Sequence, residues 1–236
     1  MWITPESPMA AYRLFSALGS GGVPIEAAMT LIGLPYEIIE APTWEGEVEQ
    51  AKVAAVNPLK QIPALVTPEG ETLTESAAIL IWLADRYPQA KLGPAIDHPM
   101  RGQFLRWMTF IPASIYSLFW VRDEPSRLGG PDPEVQARIK AATADRIADC
   151  WAMMESQLAP LMDRHGGRYL LGDELGVLDL YVAVVSRWGP RRVRFYEAAP
   201  RMSEAVRRAD ADPRLAAFWA ERFPFFDGWE RLGQQG

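Results

Sequence analysis

Asn57-Pro58-Leu59-Lys60-Gln61-Ile62-Pro63-Ala64-Leu65, followed across a short hairpin by Thr74-Glu75-Ser76-Ala77-Ala78-Ile79, is the stretch on which the fold turns. A proline immediately before a strand, with Ile62 in front of it, marks a candidate cis bond. Such a bond would turn the Ile62 backbone N–H and C=O toward a bound peptide, and an exposed edge of this kind pairs with a peptide as another strand would. Glu75 and Ser76 stand where a helix opens. There a carboxylate can take an ammonium, while free N–H groups and a hydroxyl can take a carboxylate. The set suits an amino-acid zwitterion. Without Ile62-Pro63 upstream, Glu75-Ser76 would read simply as a helix cap.

Working outward, Tyr12 to Ala17 (YRLFSA) reads as a strand, Pro24 to Ile32 as an amphipathic helix stopped by Gly33, and Tyr36 to Glu40 as a second strand. A mostly polar helix covers Glu47 to Val56. Ala64 to Thr67 and Thr72 to Thr74, joined by Pro68-Glu69-Gly70, form an antiparallel hairpin, and Ser76 to Arg86 closes the unit as a helix. Strand-helix-strand-helix-strand-strand-helix is the order of an α/β thioredoxin-like fold. Pro88 to Pro99 (PQAKLGPAIDHP) is the natural linker. Beyond it apolar residues recur at helical spacing over Arg101–Val121, Pro133–Leu158, Val177–Trp188, Pro200–Ala209 and Pro213–Arg222. The expected architecture is a thioredoxin-like domain over residues 10–88 and an all-α C-terminal bundle over residues 99–231.

Gly19-Ser20-Gly21-Gly22-Val23-Pro24 lies where the first strand turns into the first helix. Small residues before a helix-opening proline leave backbone N–H groups free for an anion, whether phosphate or thiolate. No Gly-Lys-Ser/Thr follows, and the glycine spacing is not that of a dinucleotide fingerprint. Taken alone, Ser20 reads as a turn residue rather than a catalyst.

The combination of these motifs with Gly33-Leu34-Pro35-Tyr36-Glu37 at the second strand resembles the cytosolic glutathione S-transferase family over nearly the whole chain, in a bacterial, theta- or beta-like form. The resemblance implies that Ile62, ahead of Pro63, holds the cysteinyl backbone of glutathione. Glu75 and Ser76 would hold the γ-glutamyl end and Lys60 the glycine carboxylate, with Gln61 nearby. Aligned backwards from Gly33, Ser20 falls where theta- and delta-like members carry a catalytic serine, and Gly21 where beta-like members carry a cysteine. The resemblance thus implies Ser20 as first-choice hydroxyl donor to the glutathione thiol, beside the Gly21 and Gly22 N–H groups, with Tyr116 as the reserve. A cysteine-based redox role is therefore not expected, and Cys150, in a second-domain helix, does not replace that cysteine.

Trp107-Met108-Thr109-Phe110-Ile111 resembles part of the fourth helix of bacterial members, which puts Tyr116 where those proteins aim a polar side chain at the sulfur. The competing reading is a core aromatic. Gly176-Val177-Leu178-Asp179 falls where the family has a Ser/Thr-x-x-Asp capping box, so the side-chain cap is missing and Asp179 remains. Candidate walls for a second substrate are Phe15, Leu18, Phe110, Tyr116, Phe119 and Trp120, with Phe223, Phe225, Phe226 and Trp229 as a roof or as packing.

The family implies glutathione as co-substrate, a small hydrophobic electrophile, a homodimer and a detoxification role. The alternatives are a glutathione-dependent isomerase or dehalogenase, since Lys60-Gln61 also resembles zeta-like members, and a binding protein of the same fold without turnover.

Composition narrows the rest. A net charge of −6 over 236 residues leaves no basic stripe for nucleic acid or an anionic membrane. The short cluster Arg191, Arg192 and Arg194 beside Glu197 reads as a solvated segment. Two histidines and one cysteine build no His/Cys metal set. The longest apolar run, Ala77 to Ala84, is too short to cross a bilayer, and Met1 to Ala10 lacks a signal peptide's apolar stretch. The expected location is the cytoplasm.

Overall fold

The computed structural model describes residues 11–188 and 192–225. Met1–Ala10, Arg191, Phe226 and Trp229, and with them the expected outer bounds at residues 10 and 231, lie outside the described residues.

One mixed sheet has the order β2-β1-β3-β4, built from β1 (Tyr12–Ser16), β2 (Tyr36–Glu40), β3 (Ala64–Val66) and β4 (Thr72–Thr74). Helix α1 (Val23–Ile32) crosses between β1 and β2, which run parallel, whereas β3 runs antiparallel to β1 and to β4. Gly33, at φ 79°, ends α1 in the left-handed conformation that glycine adopts without a Cβ clash. Side chains alternate between the two faces of the sheet. Tyr12, Leu14 and Leu65 enter the main core. Phe15, Ala64 and Val66 enter a small cluster with Ala41 and with Val53 of α2 (Glu47–Ala54).

Helix α3 (Ser76–Arg86) packs beside α1, and the chain then becomes helical. Helix α4 (Arg101–Phe110) continues through a π-helical turn, Ile111–Tyr116, into α5 (Ser117–Asp123). Pro112, which has no N–H for the α-helical ladder, sits at the start of that wider turn. Then come α6 (Ser126–Gly129), α7 (Pro133–His165), α8 (Val177–Val185), α9 (Arg192–Ala198), α10 (Pro200–Asp210) and α11 (Ala216–Arg222).

Two sequence expectations change here. Helix α7 does not stop at Leu158 but runs through Pro160 to His165, because Leu158 and Met162 on either side are buried in the core. Nor is the Arg192 segment solvated: it forms α9, with the Arg192 side chain fully buried and paired to Asp210 (Nη1 to Oδ2 2.7 Å) and to the Ala183 carbonyl (2.6 Å). Arg194 makes an outer pair with Asp145 at 2.9 Å.

The main core is continuous. It runs from Leu14 and Ile25 through Leu80 and Trp107 to Met154, Tyr181 and Trp219, so the sheet and the helices share one apolar interior.

Candidate functional site

Sheet register gathers three separated pieces of sequence at one end. Phe15 pairs with Ala64, and Ala64 with Thr74. Ile62-Pro63 just before Ala64, the turn that follows β1, and Glu75-Ser76 just after Thr74 therefore leave the sheet at the same end. The Ile62–Pro63 bond is cis, as the motif predicts.

The preceding loop is shaped by Asn57, which the sequence reading quoted but gave no role. Its buried side chain donates to the Gln61 carbonyl (2.9 Å) and accepts from the Leu59 N–H (3.1 Å). Lys60, at φ 55°, and Gln61 are exposed at the loop's tip. Across the strand end, Glu75 takes φ 67° and ψ 108°, an uncommon backbone for a residue with a Cβ and one found mainly at functional sites. It gives α3 no side-chain cap, so the first N–H groups of that helix remain open beside the buried Ser76. The Glu75 carboxylate is exposed and has no ion pair among the described residues.

The β1–α1 turn faces the same end. Ser20 is buried, and its Oγ accepts from the N–H groups of Ala17 and Gly22, each at 3.2 Å. The Gly22 N–H that sequence reasoning assigned to an anion is thus committed to Ser20. The Gly21 N–H makes no hydrogen bond among the described residues.

Directly over Gly21 stands Tyr116. A Cβ built on Gly21 would lie 2.2 Å from the phenolic oxygen, so the phenol occupies the space that any side chain at position 21 would need. Burial pushes the Tyr116 phenol up to about 12, with the negative charges of Asp123 and Glu75 adding to the shift. At neutral pH it is a neutral hydrogen-bond donor and cannot act as a base.

The proposed second-substrate residues separate. Leu18 and Trp120 are exposed, at 57% and 46%, and Trp120 carries the Arg127 guanidinium 4.6 Å from its ring. Phe110 is half-buried against Trp107. Phe119 is buried against Trp188, and Phe15 is sealed in the small cluster beneath the sheet, so neither offers a wall to a ligand. Cys150 is buried in α7, where desolvation pushes its thiol up and away from reactivity.

Sequence reasoning missed Trp188. Its indole N–H donates to the Gly19 carbonyl (2.8 Å), and its ring meets Tyr116 edge-on with centroids 4.6 Å apart. The apolar pattern places it only at the end of a helix over Val177–Trp188, which in the structure stops at Val185. No group of three or more His, Cys, Asp or Glu side chains that could hold a metal occurs among the described residues, and no helix there is long and apolar enough to cross a membrane.

Residues 24–86 match the family model described as glutathione S-transferase, N-terminal domain. The chain is 27% identical over 204 residues to the GST-like protein YncG of Escherichia coli (strain K12), covering 86% of this chain and 94% of that one. Over a shorter stretch of 86 residues, 36% of this chain and 40% of the relative, it is 37% identical to a maleylacetoacetate isomerase of Pseudomonas aeruginosa. A solved structure of a glutathione transferase homologue from Sulfitobacter, with bound glutathione, is similar at TM-score 0.75 and 23% identity, over 89% of this chain and 97% of that one. That likeness establishes the fold.

Proposed function

We propose, for a chain that belongs to the glutathione S-transferase family, that it binds glutathione at this end of the sheet, holds its sulfur as thiolate and joins it to a small hydrophobic electrophile. The γ-glutamyl ammonium goes to Glu75, and its carboxylate to Ser76 and the open N–H groups of α3. The cysteinyl backbone pairs with Ile62 ahead of Pro63, and Lys60, with Gln61 beside it, takes the glycine carboxylate. Extended from there, the sulfur reaches the β1–α1 turn.

The observation that carries the reading is the convergence at Gly21, where the Tyr116 phenol packs against a residue whose backbone N–H makes no hydrogen bond among the described residues. A free thiol has a pKa of about 8.5. Lowering it by two units takes about 2.7 kcal/mol, within reach of one or two hydrogen bonds to a charged acceptor. Tyr116 and the Gly21 N–H supply them. Ser20, whose oxygen already accepts two backbone bonds and whose proton faces Ser16 Oγ at 3.5 Å, shapes the turn.

In the reaction the thiol proton leaves to solvent and the sulfur lone pair forms a bond to the electrophilic carbon. The leaving group, a halide or an opened epoxide oxygen, departs with the bonding pair. Leu18 and Trp120 offer apolar surface for the electrophile.

Thiolate absorbance of the glutathione complex, followed against pH in wild type, Tyr116→Phe and Ser20→Ala, tests this assignment. The bound thiol should titrate low in wild type and higher in Tyr116→Phe, with the smaller change in Ser20→Ala. A large rise in Ser20→Ala alone would return the role to the serine. Binding with no lowered pKa in wild type would make the chain a glutathione-binding protein without turnover. Calorimetry should show Glu75→Ala weakening glutathione about ten-fold or more, with Glu69→Ala unchanged; equal affinities would move the γ-glutamyl site elsewhere.

The stretch shared with the maleylacetoacetate isomerase favours a second reading, glutathione-dependent cis–trans isomerisation. In that case a maleyl substrate turns over while glutathione is recovered unconsumed.

We also propose a two-fold homodimer. The exposed face Gly102, Leu105, Arg106 and Thr109 of α4 supports it as a patch one helix wide. Light scattering that reports a monomer at micromolar concentration would exclude it.

A further inference from the structure

We infer that α11, the last helix among the described residues, is part of the thiol site, with Trp188 and Arg222 as positioning residues that hold the β1–α1 turn through both backbone groups of Gly19. The inference rests on the reading of that turn as the place where the sulfur sits.

Gly19 immediately precedes Ser20 and Gly21. Its carbonyl accepts from the Trp188 indole N–H at 2.8 Å, and its own N–H donates to the Arg222 carbonyl at 3.2 Å. Its φ is +68°, and the Phe223 ring comes within 3.3 Å of where a Cβ would be. Ser20 fixes the turn's internal shape through Ala17 and Gly22, whereas Gly19 ties the turn to the helices outside it.

The anchor is itself fixed. Arg222 Nε reaches Glu26 Oε2 at 2.5 Å and its Nη2 reaches Oε1 at 3.1 Å, while Nη1 reaches Glu40 Oε1 at 2.5 Å. Glu26, in the first turn of α1, is fully buried, and its Oε1 also accepts from Ser16 Oγ at 2.5 Å. The guanidinium and the Glu26 carboxylate together therefore join the last residues of β1 and β2, Ser16 and Glu40, to the start of α1. A second clamp closes the same region: Arg187 donates to the Phe223 and Pro224 carbonyls, both at 2.7 Å, and stacks 3.5 Å from the Phe223 ring centre.

Trp188 joins the two sides of the site. Its N–H holds Gly19, while its ring packs edge-on against Tyr116 at 4.6 Å and Phe119 at 5.2 Å. Both groups assigned to the sulfur, the Gly21 N–H and the Tyr116 phenol, are thus referenced to one indole. Displacing such donors by even about 1 Å costs on the order of a hundred-fold in rate.

Two variants test this in the full chain. Trp188→Phe removes the N–H donor and keeps a smaller aromatic ring against Tyr116 and Phe119. Glu26→Gln/Arg222→Gln removes the fork without leaving a buried charge unpaired. The readouts are the pKa of glutathione's thiol in the complex, by thiolate absorbance, and glutathione affinity, by calorimetry.

The expected result is a bound-thiol pKa raised by about one unit in each variant, about ten-fold less thiolate at a given pH. Affinity should be little changed, because the Glu75 end is untouched. A merely structural role would lower the melting temperature and leave the thiol pKa at its wild-type value, and that outcome overturns the inference. If Trp188→Phe does not fold, the double variant decides alone. An undepressed thiol in the wild-type complex would instead overturn the underlying reading of the site, and it is visible before any variant is made.

Discussion

At the scale of single residues, position 21 has the sharpest constraint. The phenol of Tyr116 fills the space a side chain would occupy, 2.2 Å from an added Cβ, with the ring carbons Cε1 and Cζ 3.0 Å away. Gly21→Ala should therefore cost about 1–3 kcal/mol through overpacking, measured by urea unfolding. The cost should shrink in a Tyr116→Phe background, where the 2.2 Å contact is gone. Equal costs in both backgrounds would mean the phenol does not sit over Gly21. Gly22 is constrained for a different reason: an added Cβ would lie 2.1 Å from Ser16 Oγ, the hydroxyl that bonds Glu26. Alanine at 22 should therefore be insensitive to Tyr116. Because burial holds Tyr116 up to about 12, its ionisation should not enter the pH profile of the thiol step near neutrality.

At the scale of the elements, the start of α8 shows why a glycine stands at its N-cap. Gly176 offers no side-chain oxygen to the helix, the Leu92 carbonyl of the linker accepts from the first helical N–H, that of Val177, at 2.7 Å, and an added Cβ on Gly176 would come within 3.0 Å of that same oxygen. The linker stands where the usual serine or threonine would point, so restoring the familiar cap as Gly176→Ser should destabilise rather than help. The other half of the capping box survives: Asp179 accepts from the Gly176 and Leu170 N–H groups, each at 2.9 Å. Burial pushes its carboxyl up to about 7, against the pull of those two N–H groups. A carboxyl with a folded pKa above its unfolded value of about 3.9 binds its proton more tightly in the native state. Its contribution to stability is present below about pH 4 and is lost as pH rises toward 7. The difference in unfolding free energy between wild type and Asp179→Asn should therefore fall across that window. A difference that rises with pH would show an ionised Asp179 in the fold.

At the scale of the whole molecule, one buried ion pair joins opposite ends of the chain. Glu26 is 0% exposed, and its carboxylate is met by Arg222 from α11. Arg222→Ala leaves that carboxylate unpaired in the interior and should destabilise by about 3–5 kcal/mol. Neutralising the partner in Arg222→Ala/Glu26→Gln should recover most of the loss in a urea melt. Failure to recover would mean the cost lies in lost packing of the Arg222 stem. Recovered stability together with a still-raised thiol pKa would separate holding the fold from holding the turn.

Sequence alone determined the order of the elements, because period-two and helical apolar patterns are local and so are the residues that end them. β2, β4 and α3 begin and end where the pattern places them, and Gly33 stops α1 through its own backbone freedom. It also determined which residues gather at one end of the sheet: Ile62-Pro63, Glu75 and Ser76 are carried there by a hairpin whose register follows from its turn. What lay between distant segments was decided only in three dimensions. Glu26, a charge inside the otherwise apolar face of α1, was a visible signal, but its partner Arg222 lies 196 residues away, and nothing local couples two such side chains. The same holds for Trp188 over Gly19, 169 residues apart, and for Tyr116 over Gly21. Helix α7 passes Pro160 because buried neighbours outweigh a local break, and Phe15 turned inward because the sheet has two apolar faces rather than one. The patterns specify which face of each element is apolar, whereas close packing of those faces decides which polar atoms meet.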